Sequence, residues 1–208
     1  MQSPTVDSEF IRARTTRVVL DGGTTIRVRP IVPTDRDDIV AGLAQLSDET
    51  RYSRFFRSVD RLSERELTYL TEIDYRDHFA WVAMTEETPP RGLGVARYIR
   101  SEEDPTVAEA SVVVVDASQG KGIARVLLEL LSGTALEHGV SVFRSYALPS
   151  NRAVIDAMFK AGASVTLDEE EGFVRLEVEL PAATGLRDSA MYEVLRAAAR
   201  GAIRPDGL

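Results

Sequence analysis

Hydrophobic and polar positions along the chain mark out short elements whose period changes midway. Val18, Val19 and Leu20, then Asp21-Gly22-Gly23, then Thr24, Thr25, Ile26 and Val28 read as a hairpin, two apolar-rich runs around a turn. After Pro30 and Pro33, Thr34 is placed to cap a helix whose apolar residues Ile39, Val40, Leu43 and Leu46 recur at helical spacing. A second helix beyond Ser47 puts Tyr52, Phe55 and Phe56 on one face, by default a core face. Ser63 and Glu66 have capping-box spacing ahead of Leu67 and Leu70, which predicts a third helix. From His78 the period shortens. Residues 79–84 and 92–99 read as two strands of a meander, and residues 107–115 as a third, which Val112, Val113, Val114 and Val115 place mid-sheet. A long helix over 122–138, a strand over 141–147, a helix over 151–160 and a hairpin with arms 163–167 and 173–180 complete the series. Residues 1–16 lack periodicity and read as a flexible arm. Met191, Val194, Leu195 and Ala198 align on a last helix, which must pack on the domain or on a second subunit. The expected organisation is an arm (1–16), one domain (17–182) and a C-terminal helix and tail (183–208).

Composition narrows the chemistry. A chain of 208 residues can bury one full core without staples. It contains no Cys, so disulfides, thiolate zinc sites and thiol nucleophiles are excluded; with His78 and His138 as its two histidines, no metal is expected. The net charge of −8 disfavours nucleic-acid binding. No basic start, apolar run and small-residue cleavage site combine in the first 30 residues, and Arg125, Glu129 and Glu137 interrupt the longest apolar helix. A cytoplasmic protein without membrane association, monomer or homodimer, is the expectation.

The informative stretch follows the valine strand: Asp116-Ala-Ser-Gln119-Gly120-Lys121-Gly122-Ile123-Ala124-Arg125. Between Gln119 and Ala124 no Ser, Thr, Asp or Asn can cap the new helix, so its first backbone N–H groups stay available to an external acceptor. Glycines let a ligand approach the backbone, and the helix dipole with Lys121 and Arg125 favours an anion such as phosphate. Residues 117–163 hold five cations against three anions, in an otherwise acidic chain. A P-loop is excluded because Ile123 follows Gly122 where Lys is required, and a dinucleotide fingerprint because Arg125 stands at the third glycine.

Gln119-Gly-Lys-Gly122-Ile-Ala124 matches Q/R-x-x-G-x-G/A and resembles the acyl-CoA pyrophosphate motif of the GNAT superfamily of N-acetyltransferases. The resemblance spans about residues 24–180. It implies an α/β (α+β) GNAT fold, a mixed, mostly antiparallel central sheet with splayed strands flanked by helices. It implies acetyl-CoA as co-substrate, with Gln119, Gly120, Lys121, Gly122, Ile123, Ala124 and Arg125 around the pyrophosphate and backbone of Val113, Val114 and Val115 along the pantetheine arm. Asn151 either touches the cofactor, as the family position implies, or only caps its helix after Pro149-Ser150. Leu46-Ser-Asp-Glu-Thr-Arg-Tyr52-Ser-Arg-Phe55-Phe56 resembles the L-S-x-x-[ST]-x-Y-x-R-F-F signature of bacterial Pat-type protein lysine acetyltransferases, and Glu109 occupies the place of that group's catalytic glutamate. This implies a protein lysine as acceptor, with an acyl-CoA synthetase among the partners suggested. Several members carry a regulatory module for which these 208 residues have no room. Met158 and Phe159 stand where many members place a tyrosine acid, so no general acid is assigned.

A lysine amine with a pKa near 10.4 is neutral in roughly one part in 2,500 at pH 7, so attack on a thioester needs a proton acceptor. Glu109 can serve: Val107, Ala108, Ala110 and Val112 give it an apolar sequence neighbourhood expected to disfavour its charged form, and it shares a strand face with Val113. A solvated residue at a strand start is the other reading. Tyr52, Phe55, Trp81 and Tyr98 are either acceptor-cleft residues or core. A small-molecule amine acetyltransferase and a non-catalytic acyl-CoA-binding regulatory domain remain the alternative functions.

Overall fold

The runs that read as strands pair into one sheet. The computed structural model describes residues 8–180 apart from 56, 151, 153–154, 157–158, 160–162 and 169–171. Strands β1 (Thr16–Val19), β2 (Thr25–Pro30), β3 (His78–Thr85), β4 (Gly92–Arg100), β5 (Val107–Val114), β6 (Val142–Ala147), β7 (Ser164–Asp168) and β8 (Phe173–Glu179) lie in the order β1-β2-β3-β4-β5-β6-β8-β7. Neighbours are antiparallel except β5 and β6, which are parallel and therefore need a crossover. Helix α5 (Ile123–Glu137) supplies it. Helices α1 (Ser8–Ala13), α2 (Arg36–Leu43), α3 (Asp48–Phe55) and α4 (Glu64–Thr71) precede the meander.

Strand alternation divides the sheet between two layers. Ala108, Ala110 and Val114 of β5 join Phe79, Trp81, Ala96 and Tyr98 against Ile123, Leu127, Leu131 and Ala135 of α5, the main core. On the opposite face Val113 and Val115 meet Leu43, Leu46, Val59 and Phe55 under α2 and α3. The core aromatics are polar-satisfied. Trp81 Nε1 donates to Thr134 Oγ1 at 3.1 Å, and the Tyr98 hydroxyl lies 2.8 Å from the Arg76 carbonyl and 2.6 Å from His138 Nδ1.

Several expectations shift. Part of the presumed arm is helix α1, whose Phe10 ring lies 5.4 Å from that of Tyr75; six residues with few apolar positions leave no readable period. Asp35, not Thr34, precedes α2. A 3-10 turn over Pro33–Asp35 intervenes, and Asp35 is fixed by Arg29 at 2.6 and 2.8 Å and by the Val32 N–H at 2.8 Å. Val40, one of the apolar positions of the first predicted helix, and Tyr52, whose face was by default core, are 48% and 47% exposed. The α4 capping box is as expected: Ser63 Oγ accepts from Glu66 N at 3.3 Å and Ser63 N donates to Glu66 Oε2 at 2.8 Å. Most of the helix expected over 151–160, and all of that over 188–200, fall outside the described residues. Among the described residues no helix is long and apolar enough to cross a membrane.

Candidate active site

β5 and β6 pair only through Val107, Ala108 and Glu109 against Val142, Phe143 and Arg144. Ser145 Oγ closes the fork by donating to the Ala110 carbonyl at 3.0 Å. Beyond that point β5 bonds to β4 alone. Val115 donates to Leu93 O at 3.0 Å, so odd-numbered residues turn their backbone toward β4 and even-numbered ones into the gap. Val112 and Val114 therefore offer backbone to the fork. Val113 and Val115, expected to do so, instead send side chains into the opposite layer.

Past the fork the chain makes a 3-10 turn over Asp116–Ser118. Gln119 Nε2 donates to Val114 O at 3.2 Å and to Asp116 Oδ1 at 3.1 Å, so it braces the turn. Gly120 and Gly122 have φ of 73° and 88°, the left-handed region where a side chain is strained. Gly122 is the N-cap of α5 without any side-chain cap, and Val126 N is the first amide to return to it, at 3.2 Å. The amides of Ile123, Ala124 and Arg125 thus precede the first helical bond. A Cβ at Gly122 would meet nothing within 4 Å, so the space before these amides is open. Ile123 and Ala124 are buried, offering backbone only. Lys121 Nζ donates to the Ala117 carbonyl at 2.7 Å, and Arg125 approaches Asp21 at 3.6 Å. Asn151 lies outside the described residues.

On the α2–α3 side a cleft opens over β3, β4 and β5, lined by Leu43, Phe55, Val82, Val95, Ser111 and Val113 among others. Arg54 and Arg97 also face it. Arg97 is 4% exposed; its Nη1 lies 2.9 Å from His78 Nε2 and its Nη2 donates to Leu70 O at 3.1 Å. Burial first, and repulsion by Arg54 second, pull the Arg97 pKa down to about 9. His78 is held down to about 4, chiefly by burial and then by Arg97. Burial also lowers Arg54, against an opposing attraction from Glu109.

Glu109 is exposed, on the same strand face as Ser111 and Val113. Its sequence neighbours Ala108 and Ala110 turn instead to the α5 core, and Glu109 attracts the Arg54 guanidinium of α3. Trp81 and Tyr98 are core; Phe55 borders the cleft. Sequence reasoning missed Arg97 and His78 as neighbours of the site. The available signal was an arginine inside the apolar run Gly92-Leu-Gly-Val-Ala-Arg97-Tyr-Ile99. Asp116 was missed too. It accepts from Ser47 N at 3.0 Å and Thr50 Oγ1 at 3.1 Å as well as from Gln119, so it ties α3 to the glycine turn. Among the described residues no group of three or more His, Asp or Glu gathers to hold a metal.

A forked sheet beside an uncapped helix defines a class, and residues 25–164 match the acetyltransferase (GNAT) domain family: the chain belongs to it. The GNAT domain of S. lividans PAT superposes with a TM-score of 0.71 at 32% identity, covering 84% of this chain and 99% of that one. Acetyltransferase Pat of Mycolicibacterium smegmatis is 38% identical over 154 residues, 74% of this chain; the match spans 45% of that relative's length. The yncA protein of Salmonella typhimurium, solved with its cofactor acetyl-CoA, shares the fold at a TM-score of 0.52 and 19% identity, over 75% of this chain and 94% of its own.

Proposed function

We propose that this domain transfers an acetyl group from acetyl-CoA to an amine, with a protein lysine as acceptor and Glu109 as general base. The observation that carries the reading is the fork beyond Glu109, opening directly before the uncapped N-terminus of α5. The helix start at Ile123 and Ala124, ahead of the first helical bond, suits the pyrophosphate, and the backbone of Val112 and Val114 suits the amides of the pantetheine arm. The amine attacks the thioester directly, since the chain has no Cys to carry an acyl group. Glu109 stands on the cleft face of β5, where an incoming ammonium would give up its proton. A protein lysine is supported by the 38% identity to Acetyltransferase Pat, and an acyl-CoA synthetase is one candidate partner by that likeness alone. The exposed Tyr52 and Tyr69 are apt to receive a lysine stem.

The test is incubation of the protein with labelled acetyl-CoA and a lysate of its own host. Labelled lysines should appear, and Glu109→Gln should cut turnover roughly a hundredfold while acetyl-CoA still binds. Equal turnover by the variant would remove Glu109 from the mechanism. A free polyamine preferred tenfold in kcat/KM over any protein would replace lysine by a small amine.

A further inference from the structure

The cleft contains two guanidinium groups that nothing in the preceding scheme uses. Arg97 is buried in the middle of β4, yet the two groups its guanidinium meets, His78 Nε2 and the Leu70 carbonyl, are neutral. Arginine can only donate, so Nε2 of His78 must accept and its imidazole is uncharged. Arg54 is half-buried and close enough to repel Arg97. Among the described residues neither has a carboxylate within ion-pair distance. Asp35, which also faces the cleft, is taken by Arg29 at 2.6 Å, and exposed Glu109 acts on Arg54 from the solvent side. Two like charges in a largely apolar cleft are costly without an anion, and an apolar side chain at position 97 would avoid the cost. A planar carboxylate matches guanidinium forks and would offset that cost.

We propose that Arg54 and Arg97 form a carboxylate-binding subsite, so that one of the two molecules brought together at the fork carries a carboxylate a few bonds from its reacting centre. The inference rests on the acyl-transfer reading and adds to it a substrate class. Arg97 stands opposite Ser111 in the β4–β5 register, one residue before Val112 reaches the gap, so the subsite borders the place where acyl chain and amine meet. The carboxylate has two possible sources, a dicarboxylic acid bound to CoA through one end, or the acceptor. In either case it is a spectator. The amine nitrogen bonds to the thioester carbonyl carbon, the C–S bond breaks with its electron pair going to the CoA sulfur, and the amine proton goes to Glu109.

Calorimetric titration separates the sources. One arm compares succinyl-CoA with acetyl-CoA. The other compares Nα-acetyl-lysine with Nα-acetyl-lysinamide, which differ only in the carboxylate, on both free and CoA-saturated protein. In at least one arm the carboxylate-bearing ligand should bind tenfold or more tightly than its partner, and Arg54→Gln and Arg97→Met should each bring the ratio below threefold. Should Arg97→Met fail to fold, Arg54→Gln alone decides. Ratios below tenfold in both arms, or a preference that stays above threefold in Arg54→Gln, would overturn the subsite. Failure of acetyl-CoA itself to bind counts against the acyl-transfer reading instead, and the lysine arm on free protein still reports on the arginines.

Discussion

Burial first, and the neighbouring Arg97 guanidinium second, keep the His78 imidazole from taking up a proton. With the folded His78 at about 4 and the unfolded imidazole at 6.5, the unfolded state binds the extra proton between these values. Stability from this group is therefore complete above pH 6.5 and is lost as pH falls toward 4, by up to roughly 3 kcal/mol. Chemical denaturation at pH 7.5 and pH 4.5 should show the loss, and His78→Gln, which keeps an acceptor for Arg97, should flatten it. Little of this was legible from sequence. In the sequence His78 only marks where a strand begins, and its partner lies 19 positions away on the neighbouring strand. Glu109 was legible as a candidate through its place in the family pattern, whereas its environment was not: in a strand, sequence neighbours face away, and the guanidinium that Glu109 attracts belongs to α3.

At the scale of elements, the glycine turn was readable because its chemistry is local. Missing caps and two glycines announce an open helix end, and the structure has Gly122 at φ 88° as the N-cap. Gly122→Glu adds backbone strain and negative charge where the anion would sit. A folded variant should lose acetyl-CoA binding by calorimetry, and normal binding would place the cofactor elsewhere. The fork was not readable, since which valine offers its backbone depends on hydrogen-bond parity with β4. Gly94 shows how tight that pairing is: a Cβ there would lie 2.7 Å from the Val113 carbonyl. Gly94→Ala must push β4 from β5 at the fork, at an expected cost of about 1–3 kcal/mol, measurable by urea unfolding.

For the whole molecule, element order followed the hydrophobic pattern from β1 to β8, and the crossover of α5 between parallel strands followed from the motif. The insertion of β8 between β6 and β7 did not, because a hairpin's sequence does not say which arm faces the sheet. If acetyl-CoA binds only the folded chain, a concentration one hundred times its Kd should add about 2.7 kcal/mol to stability. An unchanged Tm at millimolar acetyl-CoA would contradict the proposed site. The net charge of −8 gives a further expectation: a cationic lysine-bearing protein should be acetylated more slowly as salt rises, mainly through its encounter rate.

Asp116 has a consequence for whether the two substrates bind independently. Its carboxylate holds Ser47 and Thr50 at the start of α3 and Gln119 at the start of the glycine turn. A shift of Gln119 should therefore be passed to α3, and linkage makes any such coupling reciprocal. Occupancy of the turn by CoA should change acceptor affinity by a measurable factor, and the acceptor should change CoA affinity by the same factor. In Asp116→Ala both factors should move toward one, turning a coupled pair of sites into two that fill independently.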